Sequence, residues 1–445
     1  MKLHYLKSAT IIVESKNVQI LCDPWLIDGE YYGSWCHFPP YIFKDSDFEN
    51  IDYIYISHIH PDHFNRETLK KLNSSIPVLI HKFTSPFLKK NIENLGFQVI
   101  ELEHNKRTYL KNGVHINILA ADDCNPEICG KFFGCGIYQS SDDKSSAQID
   151  TLAVIDDGEY TIVNVNDCPI QLAESVAKKI KNNYNKIDFL LVGYTGAGPF
   201  PQCFRNLGDQ RKSLGENKKL QFLNQGVAYI NYLNPTYFMP FAGTYTLAGK
   251  LSELNDFRGV PELQEAVEFM KDKIGNSLPV LLNSKQYFDL SLKQSSGKYI
   301  PENKNEKKQY IENTLSKVRF SFENDPIPTL TELMELAESA YIRMAKVRKS
   351  IQFSSATNIF IPLTEGKSLK ISMNDKGFSV VDQKDTDDEV NYVTMTVDPR
   401  LLYLILKGPK FAHWNNAEIG SHIEYVRKPE QFERGLYHCM SYFHA

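Results

Sequence analysis

Short runs of β-branched and aromatic residues, separated by turn residues, dominate the first 60 positions: Thr10-Ile11-Ile12-Val13, Val18-Gln19-Ile20-Leu21 and Tyr53-Ile54-Tyr55-Ile56. Each predicts a strand. Asn65 then has the chemistry of a helix N-cap, with Glu67 in the first turn and Leu69 and Leu72 on one face. Strand-like segments recur at 78–80, 114–118, 152–155 and 161–165, followed by a helical pattern over 172–180 and the unbroken apolar run Phe189-Leu190-Leu191-Val192. An apolar run of that kind fits a strand buried on both faces. This alternation predicts a layered α/β domain over 1–250.

Beyond it, Pro261 to Ile274 reads as a helix, with Pro261 in the first turn and Leu263, Val267, Met270 and Ile274 on one face. Residues 293–309 are polar and predict an exposed connection. A second helix is expected from Thr329 to Arg348, along a stripe of Leu333, Leu336, Ala340, Met344 and Val347. Residues 251–350 are thus a helical extension with a polar linker. The part over 351–445 is a small α+β region, in which Asn374-Asp375-Lys376-Gly377 predicts a hairpin turn.

The 445 residues carry 50 Lys+Arg against 54 Asp+Glu, a net charge of −4. No basic surplus points to nucleic acid or to an anionic membrane, and no apolar stretch approaches the length of a bilayer span. The 8 cysteines are too few for a disulfide framework in a chain of this length. The expectation is a cytoplasmic protein with reduced thiols. Cys22, Cys36, Cys168, Cys203 and Cys439 read as structural. Cys124, Cys129 and Cys135 could bind a metal, form a redox pair or pack beneath a loop.

The chemistry concentrates in His58-Ile59-His60-Pro61-Asp62-His63, between the strand at 53–56 and the helix that Asn65 caps. Three imidazoles and a carboxylate within 6 residues are metal ligands by type, suited to zinc, iron or manganese. His58 and His60 can converge on one ion while Asp62 and His63 reach a second.

This H-x-H-x-D-H pattern resembles the signature of the metallo-β-lactamase superfamily. Asp23-Pro24-Trp25-Leu26, Tyr55-Ile56-Ser57-His58 and 68–72 look like the catalytic, non-Rieske region of CMP-N-acetylneuraminate hydroxylases. So do Ile149-Asp150-Thr151, Asn166-Asp167-Cys168, Pro240-Phe241-Ala242-Gly243, Arg427-Lys428-Pro429 and Tyr442-Phe443-His444. The resemblance implies an αββα sandwich with a C-terminal helical and α+β extension, and a metal site at one edge of two packed sheets. It makes His58, His60, Asp62 and His63 ligands and Asp167 a carboxylate bridging two divalent ions, iron preferred over zinc or manganese. Asp62 and Asp167 then bear on catalysis, and Asp23 orients a ligand imidazole from behind.

Between this first motif and the bridging Asp the superfamily usually supplies another histidine, and here none lies between His115 and Asp167. Asp122, Asp123 or Glu127 could fill that position, or water could. Tyr194, Gly196, Gly198 and Arg205 stand on or after a glycine-rich loop and are candidate substrate contacts. Trp35 with Tyr31 and Tyr32, and Trp414 with Asn415, Asn416 and Glu418, could wall a pocket or simply pack.

Two functions follow. One is a di-iron hydroxylase acting on a polar, nucleotide-sugar-like small molecule, fed by a separate Rieske or ferredoxin-type electron donor, because no paired C-x-H and C-x-x-H ligands occur in the chain. The other is a hydrolase of a phosphoester, lactone or amide using a metal-bound hydroxide. A scaffold without chemistry fits poorly with an intact motif.

Overall fold

The computed structural model describes residues 1–121, 150–374, 376–383 and 390–445. Among these, eight strands form a sheet in the order Gln294–Ser295, Tyr287–Asp289, Lys2–Lys7, Thr10–Ser15, Val18–Cys22, Tyr53–Tyr55, Val78–His81, Val99–Leu102. A second sheet of seven runs Leu278–Pro279, Tyr237–Phe241, Phe189–Gly193, Thr161–Asn164, Thr151–Asp156, Val114–Ala120, Thr108–Lys111.

Side-chain alternation along these strands explains the layering. Ala153 and Ile155 enter the core between the sheets, with Ile11, Ile20, Ile118 and Leu191. Their neighbours Leu152 and Val154 face the opposite way, into a second apolar layer with Val176 and Ile180 of the helix Ile170–Asn183. In the first sheet Tyr55 points inward while Ile54 and Ile56 pack outward with Leu69 and Ile92 of the helices Arg66–Leu69 and Phe87–Glu93. Strands buried on both faces and flanked by helices give an αββα sandwich.

Both sheets take in chain beyond residue 250, where sequence alone suggests a helical extension. Leu278–Pro279 pairs with Tyr237–Phe241, and Tyr287–Asp289 with Lys2–Lys7. The first helix of that stretch is Leu263–Lys271, not 261–274. Glu262 and Glu265 cap it reciprocally, so it begins after Pro261. The polar stretch 293–309 is exposed for the most part but holds the first turns of the helix Lys304–Asn313, whose start Asn303 caps by accepting from the amides of Asn305 and Glu306. The long C-terminal helix spans Leu330–Ser350, with Thr329 and Glu332 forming its capping box.

The last part of the chain adds a five-stranded sheet among the described residues, ordered Phe378–Asp382, Lys367–Ser372, Asn358–Pro362, Tyr392–Thr396, Glu424–Lys428. The hairpin anticipated near 374–377 joins its first two strands, with Asn374 Oδ1 accepting from the amide of Lys376. This region shares an apolar core with Trp25, Tyr31, Trp35 and Tyr245 of the sandwich. The five described cysteines are buried and unbridged. No described helix is long and apolar enough to cross a membrane.

Candidate metal centre

The side chains of interest gather where strands end. Asp23 follows Val18–Cys22, His58–His63 follow Tyr53–Tyr55, Asp150 precedes Thr151–Asp156, and Asp167 follows Thr161–Asn164. Parallel pairing of Val18–Cys22 with Tyr53–Tyr55 brings the first two loops to the same edge. Thr151 ties the second sheet to them: its Oγ1 donates to the Ser57 carbonyl (2.7 Å) and bonds the Tyr55 hydroxyl (2.8 Å). Asp167 is presented by a tight turn. Asn166 stands at φ 52°, its amide donating to Asn164 Oδ1 and its side chain to the Thr151 carbonyl. The turn accepts asparagine because its short polar side chain tolerates the left-handed region.

Asp23 is fully buried and gathers three donors. Its carboxylate accepts from the Ser57 amide (2.7 Å), Ser57 Oγ (2.8 Å) and His63 Nδ1 (3.0 Å). Having given its one proton to Asp23, the Ser57 hydroxyl can only accept from His58 Nδ1, 2.9 Å away. Both imidazoles are thereby oriented with Nε2 inward. His58 Nε2 lies 2.9 Å from His60 Nδ1 and 3.9 Å from Asp150 Oδ1. His63 Nε2 lies 3.5 Å from both Asp62 Oδ2 and Asp167 Oδ2.

Two groups result. His58, His60 and Asp150 offer ligand atoms that all lie within 4.8 Å of one another, and so do His58, His63 and Asp167. His63 Nε2 and Asp167 Oδ1 are buried, with no hydrogen-bond partner among the described residues. An imidazole nitrogen and carboxylate oxygens converging in this way are the donor set of a divalent cation, so the residues present fit a metal. Electrostatics agree. Burial, with the neighbouring imidazoles, drives His58 and His60 below the usual histidine range, into the neutral ligand form. Burial would lower His63 too, but Asp167, Asp62 and Asp23 outweigh it and raise His63 well above that range. Burial likewise opposes ionisation of Asp167, and His63 and His58 overcome it, holding that carboxyl below its ordinary range. Carboxylates that favour a proton on Nε2 favour a cation there equally.

Asp62 is held by a residue that sequence reading did not assign to the centre. The Tyr31 hydroxyl donates to Asp62 Oδ1 at 2.6 Å. Tyr31 is fixed in turn by the C-terminal region, where His422 Nε2 bonds its carbonyl oxygen at 2.7 Å. Burial and the Asp62 charge push Glu30, next along the chain, up to about 8.

Asp150 is the other addition. It groups with His58 and His60, while Asp122, Asp123 and Glu127 are the candidates the sequence offers for the missing histidine's position. Those three, and Cys124, Cys129 and Cys135, lie outside the described residues. The signal for Asp150 was its position immediately before a buried strand. Of the candidate substrate contacts, Tyr194 is buried in the apolar layer between the second sheet and its helices. Gly196 abuts Phe222, and Gly198 adopts φ 101°. Arg205 is exposed and pairs with Glu424 on the strand Glu424–Lys428.

Residues 2–165 match the model of the beta-lactamase superfamily domain. A protein of Mycolicibacterium smegmatis named as a Rieske 2Fe-2S iron-sulfur protein is 28% identical over 265 residues, 59% of this chain and 47% of its own. Cytidine monophosphate-N-acetylneuraminic acid hydroxylase of Xenopus laevis is 25% identical over 264 residues, 55% of this chain and 38% of its own. The matched region thus spans less than half the length of either relative. Among solved structures, CmlA, a diiron β-hydroxylase from Streptomyces venezuelae, superposes with a TM-score of 0.39 at 18% identity, covering 63% of this chain and 52% of its own. Igni18, a metallo hydrolase from Ignicoccus hospitalis, gives 0.42 at 15% identity, covering 65% and 98%. The match over residues 2–165 is to a beta-lactamase superfamily domain, and the two helix-flanked sheets form the αββα sandwich of the metallo-β-lactamase fold.

Proposed function

We propose that the chain is a metal-dependent oxygenase with two iron ions at one centre, hydroxylating a polar, nucleotide-sugar-like small molecule with electrons from a separate Rieske or ferredoxin-type protein. The observation that carries this reading is the donor balance at the sheet edge. His58, His60 and His63 are matched by Asp62, Asp150 and Asp167. Carboxylate oxygens suit iron or manganese better than a histidine-rich set would. The similarity to a named hydroxylase over more than half the chain supports it. A Rieske or ferredoxin-type donor is proposed because relatives of this region are named as Rieske iron-sulfur proteins.

In this reading His58, His60 and Asp150 would hold one ion, Asp62 and His63 the other, and Asp167 would serve both. Bound there, reduced iron would supply the electrons and the coordination sites that activation of dioxygen requires. The protein's part is orientation. Asp23 and Ser57 fix the tautomers of His63 and His58, leaving each Nε2 lone pair directed inward. Tyr31 holds Asp62 by its outer oxygen, so that Oδ2 faces His63. Packing of Tyr31 against Trp35, ring centroids 4.4 Å apart, shields this side of the centre from water.

The test is uptake of dioxygen by protein loaded with iron(II) under nitrogen and chemically reduced. Uptake faster than in an Asp62→Ala/His63→Ala variant is expected. Hydrolysis of p-nitrophenyl phosphate or of a simple lactone by the zinc-loaded protein, with no dioxygen uptake by the iron-loaded one, would overturn it.

A further inference from the structure

Arg258, at the end of the 3-10 helix Gly249–Phe257, is only 5% exposed. One end of its guanidinium is accounted for: Nη1 donates to the Tyr245 carbonyl (2.6 Å) and to Asn255 Oδ1 (3.1 Å). Nε and Nη2 are buried, with no hydrogen-bond partner among the described residues. Among the described residues no carboxylate forms an ion pair with it, and its ring neighbour is Tyr245, whose centroid is 3.5 Å away. A buried guanidinium with two donors and no counter-charge among the described residues is costly to desolvate, which favours an anionic partner. Burial indeed holds Arg258 below the usual arginine range.

The idle pair has a specific shape. Nε and Nη2 form the side edge of the guanidinium fork, whose two parallel N–H bonds match two oxygens of one carboxylate or phosphate. A second cation stands nearby. Lys218 is pushed down to about 7 by burial and by the Arg258 charge. Its ammonium is tethered to the carbonyls of Ala197 (3.1 Å) and Phe200 (2.8 Å), on the glycine-rich loop that follows Phe189–Gly193.

The position is connected to the metal centre by a continuous aromatic stack. Arg258 covers Tyr245, Tyr245 stacks on Trp35 at 3.3 Å and 6°, Trp35 meets Tyr31, and Tyr31 donates to Asp62. Trp35 Nε1 is a further buried donor without a partner.

We propose that Arg258 is the anion-recognition residue of the substrate site: its Nε–Nη2 edge takes two oxygens of a carboxylate or phosphate on the substrate, with Lys218 as the supporting cation. The assignment rests on the ligand cluster being a catalytic centre for a small molecule. It does not depend on which metal is bound there.

The test uses the full chain in the Asp62→Ala/His63→Ala background, so that anions held by a metal do not contribute. Thermal stability is followed in inorganic phosphate and, separately, in acetate, with chloride at equal ionic strength as reference. An anion at ten times its Kd raises Tm by roughly 1.5 °C in a protein of this size. That rise is expected with at least one anion and absent in Arg258→Met. A response to phosphate alone assigns a phosphate group, and to acetate alone a carboxylate. Arg258→Met removes an uncompensated buried charge and is expected to fold. Should it not, Arg258→Lys, which offers a point charge in place of a fork, is expected to weaken the anion at least tenfold by calorimetry. No anion-specific rise, or the same rise in the Arg258 variants, overturns the proposal.

Discussion

His63 Nδ1 donates to Asp23 Oδ2 at 3.0 Å, and both groups are fully buried. The bond joins two loops from neighbouring parallel strands and leaves His63 Nε2 directed at Asp62 and Asp167. Asp23 adopts φ 45°, a region asparagine tolerates. Asp23→Asn is therefore expected to keep the backbone and lose the charge that aligns His63. Metal affinity should fall about 10–100-fold, measured by competition with a chelator. Unchanged affinity would remove Asp23 from the centre.

Asp150 separates the two ligand groups. Asp150→Ala should lower bound metal from about two ions per chain to about one, because Asp62, His63 and Asp167, the set proposed for the second ion, remain. Asp167→Ala should lose more, since it strips the carboxylate proposed to serve both ions. Equal losses in the two variants would contradict the proposed division.

Gly193 closes the strand Phe189–Gly193 directly against the turn that carries Asp167. A Cβ there would meet the Asn166 carbonyl oxygen at 2.6 Å and Asp167 Cα at 3.1 Å. Gly193→Ala should cost ~1–3 kcal/mol by denaturant unfolding and weaken metal binding at the same time. A stability loss with metal affinity intact would mean the turn absorbs the clash without moving Asp167.

Glu418 gives the C-terminal region a pH signature. Burial raises its carboxyl to about 7, and the Tyr425 hydroxyl donates to it. The folded state then holds this proton more tightly than the unfolded state does. The contribution is fully present below about pH 4.5 and is lost as pH rises toward 7. Glu418→Gln should remove that decline, worth about 3 kcal/mol, from stability measured across the same range. Parallel profiles in the two proteins would contradict the shift.

The sandwich and the His58–His63 loop were legible in sequence because their signals are local. Buried strands such as 189–192 announce themselves by unbroken apolar runs, and the motif occupies six consecutive positions. Asp150 and Arg258 were not assigned, since what distinguishes them is distance to residues far away in the chain. The 24-residue helix Gln210–Leu233 also escaped notice. Gly215 and Gly226 interrupt its pattern, and the structure explains both. A Cβ at Gly215 would strike the Phe257 carbonyl oxygen at 2.9 Å, and one at Gly226 would strike Met270 Cε at 2.5 Å. These glycines are selected for close packing, at the expense of helix propensity. The strands at 278–295 were missed for a related reason: they are two or three residues long and are defined by the edges they complete.

Metal content by elemental mass spectrometry, on protein purified without oxygen and beside the Asp62→Ala/His63→Ala variant, tests the central claim most directly. The account predicts iron approaching two atoms per chain, about the capacity of a two-ion centre, and its loss in the variant. Zinc that iron cannot displace, or no bound metal after loading with either, would contradict it.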